Sequence, residues 1–304
     1  MLFLVPLPIF AYFLSLSLRS HFAILSHFFH SACLQALSPS TYSNTLEALV
    51  CAEPLKDPVQ KEIFIQSGLY HVIVVSGSHL IFFSFFLELL VEPMTRNRKG
   101  VFAQALILFA LFIYTLACNL EPPLIRACFS YLLGLIGDRL RLNYNSAVSL
   151  LISVLLCLVF EPSWILSRSL LLSSIASLSL ILTKKNQNPF LKQLLIYLTL
   201  APALWGWGNL HPLTILTNIF LAPLISLTLL PMALITIPFH SLSHFLDILL
   251  KYSFQFLSWI SQPAFSFLHS EKQSSLSLPV LWSYFLLLLT SQYLLHLHAR
   301  RDQA

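Results

Sequence analysis

The chain has 304 residues, 57% hydrophobic and 10% charged, with a mean hydropathy of +0.79. A soluble domain is about a quarter charged, so composition excludes a water-soluble globular protein and specifies an integral membrane protein. The net charge of +5 is explained first by the positive-inside bias of membrane proteins, before any nucleic-acid surface is invoked.

The first 18 residues, MLFLVPLPIFAYFLSLSL, are apolar. They lack the basic n-region and small-residue cleavage site of a removed signal peptide, so 1–18 reads as a retained first span or anchor. Segment 19–66 is the one sizeable polar stretch. Cys33 and Cys51 lie in it and could pair if it is exported. Cys118, Cys128 and Cys157 lie in apolar runs and read as packing residues; no cysteine has metal-ligand spacing. A helix needs about 20 apolar residues to cross the hydrocarbon core. That rule gives further candidate spans near 69–91, 101–118, 122–138, 144–160, 162–183, 190–208, 212–237, 244–268 and 279–298, some of them short enough to be re-entrant. The expected fold class is therefore an all-α, polytopic helical bundle of about eight to ten transmembrane or re-entrant helices. Arg96, Arg98 and Lys99, then Arg139 and Arg141, then Lys184, Lys185 and Lys192, and finally Arg300 and Arg301 fall on alternate loops. The positive-inside rule puts those loops, both termini and the tail 299–304 in the cytoplasm and segment 19–66 outside. In 244–268, Asp247 and Lys251 stand at i,i+4, a favourable helical pair; that segment reads equally as an in-plane amphipathic helix or a span.

The stretch SGLYHVIVVSGSHLIFF, Ser67 to Phe83, places two glycines, two histidines and three serines among Val, Ile and Leu. Gly68 and Gly77 either notch a close helix contact or let the backbone break, and broken backbone at membrane depth is tolerated only inside protein or along a wet cavity. His71 and His79 would share a face of an unbroken helix. They have no carboxylate or cysteine at ligand spacing, so interhelical hydrogen bonding is favoured over a metal. Ser76, Ser78 and His79 raise an intramembrane serine hydrolase, but a nucleophile needs a base held by another element and SGSH is not a nucleophile elbow. Arg126 opens one apolar run and Arg168 lies in another; a charge in a span faces the bundle interior or snorkels. Asn218 precedes Pro223 in a further apolar run, and Pro223 frees a backbone carbonyl one turn earlier.

At these residues the chain resembles the ComEC competence proteins. IQSGLYHVIVVSGSHLIFF is similar to that family's most recognisable block, with Gly68, Leu69, His71, Ser76, Gly77 and His79 on the pattern. YTLACNLEPPLIRACFSYLLGLIGDRL resembles its block around Pro123, Arg126 and Ala127. LVFEPSWILSRSLLLSSIASLSLIL resembles its acidic-Pro block at Glu161 and Pro162, but Leu171 stands where the family shows Gln. LAPALWGWGNLHPLTILTNIFLAPLISLTLLP resembles its block with Asn218 and Pro223. The resemblance implies that 67–298 is a competence-type channel domain of the bacterial inner membrane, conducting one strand of transforming DNA. Gly68, His71, Ser76, Gly77, Ser78, His79, Arg126, Asn218 and Pro223 would line its path, with no catalytic residue, metal or cofactor. The partners it implies are single-stranded DNA, membrane lipid, a DNA receptor, a separate nuclease and a cytosolic helicase-like ATPase, the last because the chain has no P-loop; self-association into a homo-oligomer stays open. The family's exported OB-like domain and metallo-β-lactamase-like domain are not expected in this sequence. The alternatives are a transporter of small or lipid-linked substrates and the intramembrane hydrolase.

Overall fold

Pro6 and Pro8 start a helix in the turn where proline costs nothing, and no further glycine or proline interrupts the chain before Pro39. The computed structural model describes residues 6–38, 40–95, 100–142, 145–184, 188–204, 213–237, 242–260 and 276–301. Its first helix, α1 (Pro6–Leu37), has 32 residues, a length of about 48 Å, well beyond a hydrocarbon core of about 30 Å. The backbone therefore does not break at residue 18, and half of the polar segment continues the first helix. Arg96, Arg98, Lys99, Lys185 and the glycines Gly206 and Gly208 lie outside the described residues.

Short helices follow. These are α2 (Ser43–Val50), α3 (Pro58–Gln66) and the single turn α4 (Tyr70–Ile73). Asp57 caps α3 by accepting from the Val59 and Gln60 amides, with Pro58 at the first helical position. Longer apolar helices come next: α5 (Gly77–Thr95), α6 (Val101–Ala117), α7 (Pro122–Leu140), α8 (Ser146–Phe160), α9 (Arg168–Leu182) and α10 (Pro189–Leu204). Then come α11 (Leu213–Leu224), a π-helical segment (Ile225–Leu229), α12 (Leu230–Thr236), α13 (Ser243–Ile260) and α14 (Leu278–Arg301). The described residues form no strand, and the architecture is an all-α membrane bundle. Ile215–Thr236 alone is long and apolar enough to cross a bilayer among the described helices, and several shorter apolar helices accompany it in the chain. Its π segment sits between Pro223 and Pro231; each proline lacks an N–H for the α-helical ladder, so the turn between them widens.

α6 packs between α1, α5 and α7, and α9 between α8, α10 and α14. One core joins α2, α3 and α4 to the Ile225–Ala233 stretch and α13; a second joins α5, α6 and α7; a third joins α8, α9, α10 and α14. Arg168 is the first residue of α9, not a mid-span charge. α13 turns Leu246, Leu250 and Leu257 inward and leaves Phe245, Tyr252 and Trp259 exposed. Asp247 does not pair with Lys251 among the described residues; it accepts from the Ser40 hydroxyl and, at 3.1 Å, from the Thr41 amide. Phe254 stacks on Tyr42 and meets Phe64 edge-on. α13 is thereby tied to the polar segment along one face.

Candidate functional site at a broken helix

Residues 64–79 form two helix ends back to back. At the end of α3 the Leu69 amide donates to the Phe64 carbonyl at 2.9 Å and the Gly68 amide to the Ile65 carbonyl at 3.1 Å. This is the Schellman pattern, which needs a left-handed residue between the two donors. Gly68 supplies it at φ 73°, and Leu69 and Phe64 bury against each other's core. α4 makes one turn, and Val74 is extended. The Val75 amide donates to the Ala48 carbonyl of α2 at 3.2 Å, so the extended link is held by protein backbone. The segment Gly68–His79 is broken twice, at Gly68 and at Val74–Ser76, while Gly77 lies within α5 at a close helix contact.

Ser76 precedes the first residue of α5 and His79 is its third. The His79 Nδ1 accepts from the Ser76 amide at 2.9 Å, a capping box with imidazole in the position usually held by Glu or Gln. The Ser76 hydroxyl lies 3.0 Å from the same nitrogen and 2.7 Å from the Ser78 hydroxyl. Because Nδ1 accepts from an amide, the ring proton is on Nε2, and Nε2 is buried with no hydrogen-bond partner among the described residues. The hydrolase alternative is poorly served by this arrangement: the imidazole lone pair is already engaged, and among the described residues no carboxylate orients the ring.

Gly77 is buried where α5 meets α7. A Cβ there would lie 3.3 Å from Arg126 Nη2, 3.4 Å from Ala127 Cβ and 3.4 Å from the Pro123 carbonyl oxygen. Arg126 sits in the second turn of α7 and is only 5% exposed, so it occupies the interior rather than the interface. Its Nε and Nη2 both donate to the Ser173 hydroxyl of α9, at 3.0 and 2.9 Å. On the other side, the Thr217 hydroxyl of α11 donates to the Ser67 carbonyl at 3.0 Å, which pins α11 to the turn containing Gly68.

A family model for the competence protein matches residues 55–298. The chain belongs to the competence-protein family. Comparison with curated proteins and with solved structures gives no match. The ComEC-type competence domain thus spans α3 to α14, and the broken helix lies near its start.

Within this competence domain the structure gathers some of the sequence candidates and separates others. Ser76, Ser78 and His79 share hydrogen bonds, and Gly77 touches Arg126. Asn218 follows the Thr217 anchor, and its Oδ1 is buried without a donor. His71 is exposed on α4, and Pro223 is exposed on α11 while Ile225, Ser226 and Leu229 turn inward. Cys33 and Cys51 form a disulfide ahead of the matched region. Leu171, at the position where the family shows Gln, is core; Ser173, two residues on, makes the polar contact instead. Sequence reasoning missed Ser173 and Thr217. The available signal was the requirement that a buried guanidinium find an acceptor, which a serine-rich helix such as α9 can meet.

Proposed function

We propose that this competence protein is a multi-pass channel of the bacterial inner membrane that conducts single-stranded transforming DNA into the cytoplasm, with both termini cytoplasmic. The family assigns the chain to competence and DNA uptake. The observation that carries the finer reading is the double break at Gly68 and Val74–Ser76 beside the buried Arg126. A phosphate polymer cannot enter hydrocarbon. Its conduit needs interrupted helices, hydroxyl and imidazole groups, and a positive charge held by weak neutral contacts so that the strand can leave again. Gly68, Ser76, Gly77, Ser78, His79 and Arg126 supply that set. Strand degradation and pulling are assigned to a separate nuclease and a cytosolic helicase-like ATPase, and strand capture to a DNA receptor.

Deleting the gene in its host and following radiolabelled duplex DNA tests the reading. Label bound outside should persist while nuclease-protected label inside is lost, and the intact gene supplied in trans should restore it. Unchanged entry of label in the deletion strain would refute the conduit.

A further inference from the structure

Resting on the conduit reading and adding a ligand site to it, we propose that the N-terminus of α5 and the guanidinium of Arg126 form a binding site for a single phosphate group. α5 has 19 residues, long enough for an appreciable positive potential at its start. The Ser76 amide is taken by His79, but the Gly77 and Ser78 amides have no acceptor among the described residues. A helix start with open amides attracts anions, yet by itself that is common to many helices.

The second observation is Arg126. The residue as a whole is only 5% exposed. Both of its hydrogen bonds go to one neutral hydroxyl, and no carboxylate pairs with it among the described residues. Of the five N–H groups of a guanidinium, three have no acceptor among the described residues. A buried charge in that condition is costly, and here it is placed against a second source of positive potential. Gly77 makes this possible: with no Cβ, it lets Nη2 come within 3.3 Å of the point a Cβ would occupy. Two positive elements held together with no negative group between them destabilise each other until an anion arrives. A planar guanidinium with free donors suits two oxygens of one phosphate. The Ser78 side chain is exposed and Ser76 half-buried, their hydroxyls 2.7 Å apart, so the rim by which an anion enters carries further donors. A cavity of about 360 Å³ at the α6–α7 and α8–α9 turns has Glu121 and Glu161 in its lining and would repel the same group.

The phosphate chemistry is shared by a DNA phosphodiester and by an anionic lipid headgroup, and the experiment separates them. The full chain is placed in zwitterionic nanodiscs. Binding of a fluorescent single-stranded oligonucleotide is measured against salt by anisotropy, beside a methylphosphonate oligonucleotide of the same sequence. Phosphatidylglycerol retained through purification is measured by mass spectrometry. For a DNA phosphate, Arg126→Gln should weaken the charged oligonucleotide by about tenfold or more and lower its salt slope by about one. Arg126→Lys should fall between, and the uncharged oligonucleotide should not distinguish them. For a lipid phosphate, Arg126→Gln should lose retained phosphatidylglycerol and leave the oligonucleotide unaffected. Should Arg126→Gln fail to fold, Ser173→Ala carries the same measurements with a smaller, several-fold loss. Wild-type oligonucleotide affinity and wild-type retained lipid in these variants would overturn the site. That result leaves the conduit standing if the deletion strain still loses DNA entry; a deletion strain that imports DNA normally refutes the conduit, whatever Arg126 binds.

Discussion

Replacing Gly77 by a larger residue perturbs the contact between α5 and α7 directly. An added Cβ meets Arg126 Nη2 at 3.3 Å and both Ala127 and Pro123 at 3.4 Å, so alanine demands shifts of a few tenths of an ångström. Leucine adds three more carbons. Overpacking of that kind costs about 1–3 kcal/mol. Pushing the guanidinium off Ser173 forfeits charged hydrogen bonds worth about another 1.5–3 kcal/mol. Gly77→Leu is therefore expected to destabilise by about 2.5–6 kcal/mol and Gly77→Ala by about 1 kcal/mol or less. Thermal unfolding in detergent, read by fluorescence-detected size exclusion of a tagged protein, should rank wild type, then alanine, then leucine. Shortening the arginine opens the space, so in an Arg126→Ala background the leucine should cost at least about 1 kcal/mol less. A leucine variant that melts with wild type, or costs that add independently of Arg126, would show that the close approach at Gly77 does not shape this junction.

Other outcomes follow from the polar segment. The Cys33–Cys51 disulfide closes a loop with a sequence separation of 18, so replacing both cysteines by serine should lower stability by about 3 kcal/mol on the chain-entropy model; a reductant should shift the wild-type melting temperature and not that of the variant. Glu53 accepts from His30 Nε2 at 3.0 Å, while His30 Nδ1 faces the Ala117 carbonyl at 2.9 Å. The His30 hydrogen bond, aided by Lys56 at 3.3 Å and opposed by partial burial, holds the Glu53 carboxyl below its ordinary value of 4.5. The stability this contributes is complete above pH 4.5 and is lost as pH falls through the lower folded-state value. Glu53→Gln should flatten that acid limb in a proteolysis titration, and an unchanged limb would remove Glu53 from the account.

Several features were legible because they depend on neighbours in the chain. Gly68 stood out in the sequence as either a packing notch or a backbone break, and the structure decides for the break, because the Schellman turn requires a left-handed residue at that point. The helix start at Ser76, with His79 as its capping partner, was not read from the sequence, since Glu or Gln usually fills that role. Pro223 was read as loosening the turn before it, whereas the π segment lies after it, at Ile225–Leu229. The run from residue 19 to 37, read only as the start of a polar segment, is helical, and its lack of any glycine or proline is the local reason.

The sequence by itself determined that this chain lives in a membrane and that it is helical, and it marked Gly68 and Gly77 as points of either a notch or a break, because hydropathy and the conformational limits of glycine and proline act locally. Tertiary structure alone decided that Arg126 is held by a serine 47 residues away and that Asp247 answers to Ser40 across 207 residues. Those pairings depend on which faces α7, α9 and α13 present to their neighbours. In a bundle where nearly every face is apolar, hydrophobicity no longer distinguishes one face from another, and close packing with hydrogen-bond satisfaction makes the choice.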